Sequence, residues 1–397
     1  MKSLRILLVL QEVPLPFGHA SARGYWVLTR GLIERGHRVT VYAPCANPAY
    51  IAQARELFPP PAYDLRCYPF SEDKSLWGKW QTLLRPFSYT IHSELRRDLG
   101  AELRRGYDIL HLEQIWNGWL GESCDPAKVV LNVHSLYDID LPGHPIREWR
   151  GRIVQALRRK AERRLLNRFA TLLTLSPRLQ DAIRAIAPRT PIHVVPLGLD
   201  ASLYPFFPRE RRPSAPIISV IGSMDWYPTY SAAVRLLTRL LPAIRRKIPE
   251  TRAVIVGWNA RKALQKFLPQ PGVDVSENVP DMQPFFEQSS LLLYAPERGS
   301  GMKVKVLEAF AYGVPVVTTW DGVEGIPARD GVHAGLSDDD AGLVARTIRV
   351  LTDSAFQESI RQNARTLVEE RCNPRAVLDG IEQCYLDILK RQGRAAA

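Results

Sequence analysis

Apolar runs alternate with helical periods along the whole chain. "RILLVL" (5–10) is an unbroken aliphatic run of the length of a buried strand. A loop through Pro14, Pro16 and Gly18 follows. "ARGYWVLTRGLIERGH" then carries apolar residues at helical spacing and ends near Gly36, and "RVTVYAP" is a second strand. This βαβ opening predicts a doubly wound parallel sheet. "YDILHLEQ", "KVVLNVHS", "ATLLTLS" and "IHVVPLG" continue the strands, and residues 147–168 predict a long basic helix among them. Residues 199–216, "LDASLYPFFPRERRPSAP", crowd proline and charge without a period and predict a linker. The pattern then restarts with the strand "IISVIGS", a helix over 231–247 and the strands "RAVIVGW" and "LLLYAP". A helix over 302–312, the strand "PVVTT" and helices over 338–353, 354–371 and 374–391 complete it. The expectation is an α/β protein of two Rossmann-like doubly wound domains, 1–198 and 217–373, facing across a cleft.

A length of 397 residues agrees with two domains, and 46% apolar with 24% charged residues suits a soluble globular chain. No run approaches the ~20 apolar residues of a membrane-spanning helix. "MKSLRILLVL" enters the first strand without the small-residue cleavage site of a signal peptide. Cys45, Cys67, Cys124, Cys372 and Cys384 are odd in number and lack metal-ligand spacing. They read as free thiols of a reducing cytoplasm. The net charge of +12 is uneven: residues 1–195 hold 28 Lys+Arg against 18 Asp+Glu, the remainder 25 against 23. That asymmetry suggests a nucleic-acid, anionic-lipid or other polyanionic partner, or else a well-solvated arginine-rich surface. The 147–168 segment alone has nine Lys+Arg against two Asp+Glu. "SLWGKWQTLLRPFSY" and "QIWNGW" interleave aromatic and basic residues, as at a sugar-stacking platform or a membrane interface. No recognised nucleic-acid module accompanies the charge.

The first strand is followed by "LQEVPLPFGHASARG" rather than G-x-G-x-x-G, which disfavours a dinucleotide dehydrogenase. No P-loop, H-E-x-x-H or G-x-S-x-G occurs either. The most informative stretch is "GSGMKVKVLEAFAYGVPVV", 299–317. Gly299, Ser300 and Gly301 form a loop, and Met302–Tyr312 lacks glycine and proline. Gly313 stands where a helix ends, with Pro315 beyond it. Lys303 and Lys305 fall in the first turn, where they oppose the helix dipole unless an anion binds there. Glu308 shares a face with Lys305.

"LLLYAPERGSGMKVKVLEAFAYGVPVVTTWDGVEGI" resembles the donor-binding signature of glycosyltransferase family 4, the retaining GT-B class. "ISVIGSMDWYPTYSAAVRLL", "LTLSPRLQDAI" with "IHVVPLGLD", and "LIERGHRVTVYAP" resemble other parts of the same family, so the likeness covers nearly the whole chain. It implies a cytoplasmic enzyme moving a hexose-type sugar from a nucleotide-sugar donor to a glycan or lipid-linked acceptor in polysaccharide or glycoconjugate biosynthesis. No nucleic acid, no cofactor and no metal is expected; the basic first half and its aromatics add the expectation of a peripheral contact with anionic membrane. The C-terminal domain is expected to bind the donor and the N-terminal domain the acceptor, with helix 374–397 crossing back to the N-terminal domain. By the same likeness, Glu308 holds the donor ribose, and the amides around Gly301, Met302 and Lys303 face the diphosphate. Lys305 and Lys303 neutralise that diphosphate. Gly222 and Ser223 follow the first donor-domain strand, Gly18 lies in a glycine turn near the phosphates, and His134 stands near the transferred sugar as a catalytic residue beside Lys305. His19 is a weaker candidate.

Two departures stand out. Many members have a second glutamate eight residues before the ribose-binding one, where this chain has Ser300. Many also have an arginine and a lysine after the first donor-domain strand, where this chain reads "GSMDWYPTY". A nucleotide-sugar 2-epimerase shares the fold and remains an alternative, as does a basic nucleic-acid-binding protein.

Overall fold

The computed structural model describes residues 3–18, 20–58, 60–70, 75–140, 149–208 and 215–393. Two compact units emerge. The first comprises Met1–Asp138, Pro142–Leu197 and Pro374–Ala397, the second Ile139–Leu141 and Gly198–Asn373.

The first unit is built on seven parallel strands: β1 (Arg5–Val9), β2 (Arg38–Pro44), β3 (Tyr63–Tyr68), β4 (Ile109–Glu113), β5 (Val129–Val133), β6 (Thr171–Thr174) and β7 (Ile192–Val194). Their order is β3-β2-β1-β4-β5-β6-β7. The central strands are buried on both faces, which is why they read as continuous apolar runs. β3 escapes that pattern: on the sheet edge, "YDLRCY" leaves Asp64 exposed and Arg66 partly so, and has no unbroken apolar run. The last helix, Pro374–Arg391, packs on the Ala20–Glu34 helix. Leu378 fills the space at Gly31, where a Cβ would sit 1.8 Å from its Cδ1. Arg35 pairs with Asp379 at 2.6 Å and with Glu382.

The second unit has six parallel strands: β8 (Ile217–Ile221), β9 (Arg252–Val256), β10 (Val273–Ser276), β11 (Leu291–Tyr294), β12 (Val316–Thr318) and β13 (Gly335–Leu336). The order is β10-β9-β8-β11-β12-β13. Edge strands β10 and β13 are short or polar and left no sequence signal. The helix expected over 231–247 starts earlier, at Tyr227, and widens to a π turn over Leu236–Leu240. Pro242 explains the turn, because it has no N–H to continue the ladder and its ring crowds the carbonyl four residues back. The stretch expected as a linker is packed in its described first part. Leu199, Tyr204 and Phe207 are buried, and Phe207 stacks on Tyr312 with ring centroids 4.8 Å apart. Among the described residues no helix is long and apolar enough to cross a membrane.

Candidate active site

In both sheets the strand order reverses between neighbours, at β1/β4 in the first and β8/β11 in the second. In open α/β sheets ligands bind beyond the carboxyl ends of strands at such points. Gly18 follows β1, Gly222 and Ser223 follow β8, and residues 300–308 follow β11, whereas His134 follows β5, one strand beyond the first such point.

In the second unit, the loop after β11 leads into the helix Val304–Tyr312. "VKVLEAFAY" has nothing to break a helix, and Gly313 ends it with φ +69°, a left-handed conformation that favours glycine. The helix begins two residues later than its sequence suggests. Lys303 is extended and precedes it, because its ammonium turns back onto the carbonyls of Ser300 (2.9 Å) and Gly301 (2.6 Å). Gly301, at φ +71°, makes that tight turn possible. Met302 is buried beside it.

Lys305 lies in the first turn of the helix and keeps some exposed surface, but its ammonium is enclosed. Nζ donates to Thr229 Oγ1 at 2.6 Å and lies 4.4 Å from the centre of the Tyr294 ring. On another side is Gly222, whose absent Cβ would stand 2.5 Å from Nζ. Burial, reinforced by the like charge of Lys303 and opposed by Glu308, pulls the Lys305 ammonium down to about 7. One turn further, Glu308 is buried (7% exposed), and Tyr204 donates its hydroxyl to Oε1 at 3.2 Å. Arg365 fixes Tyr204 to the helix by donating to the carbonyls of Tyr204 (2.7 Å) and Ala311 (2.5 Å). Ser223, next to Gly222, is exposed and accepts from the Asp225 amide at 3.3 Å.

Ser300 is held by a residue that the sequence did not nominate. Asp140 Oδ1 accepts from the Ser300 amide at 2.6 Å, and both carboxylate oxygens accept from its hydroxyl at 3.1 Å. Asp140 is 4% exposed. Burial raises its carboxyl to about 6 against the opposing pull of Ser300 and Lys303, with Glu324 adding to the rise.

In the first unit, Gly18 stands in the exposed loop after β1 with φ +85°. His19 lies outside the described residues. His134 directly follows β5, and both of its ring nitrogens are engaged: Nε2 is 2.5 Å from Glu113 Oε2 and Nδ1 is 2.9 Å from Gln114 Nε2. Glu113 is buried at the end of β4, where Asn132 donates to it, and His111 Nε2 stands 3.0 Å from Oε1. His111 Nδ1 is in turn 2.6 Å from the hydroxyl of Tyr385 on the last helix. Burial alone would raise the Glu113 carboxyl, but His134 and His111 outweigh it and hold it well below the usual carboxylate range. Gln114 adopts φ +73°, a strained conformation of the kind that collects at functional sites. One signal for this cluster was present in "ILHLE": a histidine and a glutamate inside a buried strand require partners.

Gly222, Thr229, Tyr294 and Lys305 thus converge on one point of the second unit, with Glu308 a turn away. The Ser300–Lys303 turn precedes the helix that carries Lys305 and Glu308, and Gly18 and His134 belong to the first unit. Among the described residues no cluster of metal-ligating side chains is found.

No curated protein matches the chain in sequence. Two family models do: "Glycosyltransferase Family 4" over residues 22–203 and "Glycosyl transferases group 1" over residues 215–353. Solved structures with low identity share the fold. The sucrose-phosphate synthase of Thermosynechococcus elongatus aligns with TM-score 0.69 at 16% identity, over 98% of this chain and 100% of its own. HepE of Anabaena, in complex with UDP-glucose, gives 0.68 at 15%, over 96% and 99%. A point mutant of S. aureus TarM, solved with fondaparinux, alpha-GlcNAc-glycerol and UDP, gives 0.66 at 9%, over 96% and 99%. Two parallel α/β units, each covered by its own glycosyltransferase model, make the chain a GT-B glycosyltransferase of the family 4 and group 1 type.

Proposed function

We propose that this enzyme takes a hexose-type sugar from a nucleoside diphosphate donor and passes it to a glycan or lipid-linked acceptor with retention of configuration. The observation that carries the reading is the pairing on one short helix. Lys305 sits against the glycine that ends β8, and Glu308, one turn on, is paired with Tyr204. A carboxylate accepts from both hydroxyls of a cis diol, which assigns the ribose to Glu308. The diphosphate then meets the helix N-terminus, the loop amides of Gly301, Met302 and Lys303, and the Lys305 ammonium. Negative charge grows on that leaving group in the transition state, and Lys305 is the cation placed to meet it, so no metal is assigned to the step. Gly222 and Ser223 border the phosphates. The family likeness assigns Gly18 of the first unit to the phosphates and His134 to the transferred sugar. With both ring nitrogens engaged, His134 is assigned to orienting that sugar rather than to carrying its proton. HepE with UDP-glucose and TarM with UDP and a glycosylated glycerol support this class of donor and acceptor. Retention rests on the family likeness.

The acceptor is placed at an anionic membrane that the enzyme meets peripherally from the cytoplasmic side. Leu76, Trp80 and Leu84, spaced by one helical turn, are 86%, 53% and 53% exposed. The adjoining helix Trp149–Leu166 exposes Trp149, Ile153 and Val154 together with Arg152 and Lys160. Apolar side chains flanked by basic ones are what such a surface recruits.

The test is calorimetric titration of nucleoside diphosphates and their sugar esters into the wild type and Glu308→Gln. The variant is expected to lose about 1.5–3 kcal/mol of nucleotide affinity for each charge-assisted bond removed, with its melting temperature retained. Unchanged affinity would remove the ribose from Glu308. Release of nucleoside diphosphate together with a glycosylated acceptor separates transfer from 2-epimerisation.

A further inference from the structure

Within the second unit, the short segment Ile139–Leu141 brings a carboxylate to the turn that precedes the Val304–Tyr312 helix. Oδ1 of Asp140 accepts from the Ser300 amide, and the single Ser300 hydroxyl proton is shared between Oδ1 and Oδ2. An ionised carboxylate offers about four acceptor directions, so Oδ2 retains one. Lys303, with its ammonium on the carbonyls of Ser300 and Gly301, supplies the opposite charge that keeps so buried an anion tolerable. Glu324, also buried, repels it.

Position 300 is where the family likeness expects a carboxylate toward the transferred sugar. A glutamate there would meet Asp140 head-on, whereas serine donates to it through both amide and hydroxyl. The two residues therefore read as a pair: the carboxylate has moved from the loop to residue 140, and serine holds it in place.

Resting on the donor site proposed above, we infer that Asp140 is the residue that recognises the transferred sugar, its Oδ2 accepting a hydrogen bond from a sugar hydroxyl. Asp140 would then select among donors that carry the same nucleotide but differ in that hydroxyl.

The experiment uses the full chain and calorimetry with UDP, GDP and ADP and with their glucose esters. It compares wild type, Asp140→Ala and the double variant Asp140→Ala with Ser300→Glu. For the nucleotide that the wild type binds, Asp140→Ala is expected to keep nucleoside diphosphate affinity within about twofold. Its affinity for the sugar ester should fall about tenfold or more, as for loss of a hydrogen bond to a charged group. Returning a carboxylate at position 300 should restore most of that loss. If the alanine variant does not fold, Asp140→Asn takes its place with the same expected split. Equal losses for diphosphate and sugar ester, no loss for either, or tighter sugar-ester binding would each overturn the assignment, the last by making Asp140 an obstruction. A wild type that binds none of the six compounds would instead remove the donor site itself, and Asp140's role with it.

Discussion

With the diphosphate on Lys305 as proposed, nucleotide binding should be coupled to proton uptake. The Lys305 ammonium is enclosed by Gly222, Thr229 and Tyr294, and burial with the neighbouring Lys303 brings it to about 7 in the unliganded protein. At that value it is about half charged at pH 7 and about one-tenth charged at pH 8. A docked diphosphate favours the charged form and drives the group back toward the ordinary lysine range. Binding at pH 8 should therefore take up about 0.9 proton, against about 0.1 at pH 6. Affinity follows: between pH 7 and 9 it should fall by up to about tenfold per unit, or about 1.4 kcal/mol. The sign for stability is opposite. With the folded value below the unfolded one, the unfolded chain binds more protons between about 7 and 10.5, so this group makes the unliganded fold more stable as pH rises through that window.

The assay is calorimetry with the nucleoside diphosphate at pH 8 in two buffers of different ionisation enthalpy. The slope of apparent enthalpy against buffer enthalpy gives the protons taken up. Lys305→Met should abolish the slope and lower affinity. Lys305→Arg keeps a charge at every pH used and should flatten the pH dependence. A wild-type slope near zero at pH 8, or the same slope in Lys305→Met, would refute the reasoning, because the phosphate would then lie elsewhere.

Gly222→Ala places a Cβ 2.5 Å from the Lys305 ammonium at a φ of +132°. Nucleotide affinity should fall by about tenfold while the protein still melts cooperatively; unchanged affinity would detach Gly222 and Lys305 from the donor. Replacing Leu76, Trp80 and Leu84 together by serine removes the exposed apolar stripe. Co-sedimentation with anionic liposomes should drop roughly 100-fold, and binding by the wild type should weaken with salt; equal partition of wild type and variant would leave a soluble acceptor.

The sequence made most of the architecture legible because a parallel strand covered on both faces must be apolar throughout, as in "RILLVL" and "KVVLNV". Edge strands β3, β10 and β13 carry no such requirement and went unread. The Val304–Tyr312 helix was visible from its uninterrupted apolar spacing and Gly313, but its start was not. Lys303 leaves the helix for the carbonyls of Ser300 and Gly301, a choice made by tertiary geometry. Gln114 and Tyr204 are illegible for the same reason, since their partners lie 20 and 104 residues away.

Net charge alone overstates what a surface can attract. The basic 147–168 segment looked like a solvated or membrane-facing cation array. In the fold, Arg158 lies over the Phe87 and Tyr137 rings, and Arg164 pairs with Glu122 at 2.5 Å. Part of the positive excess is therefore already engaged, Arg158 by aromatic rings and Arg164 by a carboxylate. Exposed on the same helix are Arg152, Arg159, Lys160 and Arg163, beside exposed Ile153, Val154 and Trp149. Cations of this kind contribute about 1 kcal/mol each near an anionic leaflet and give a reversible, salt-sensitive attachment. The apolar stripe adds a share that salt does not screen, which is why its removal tests something that neutralising the arginines does not.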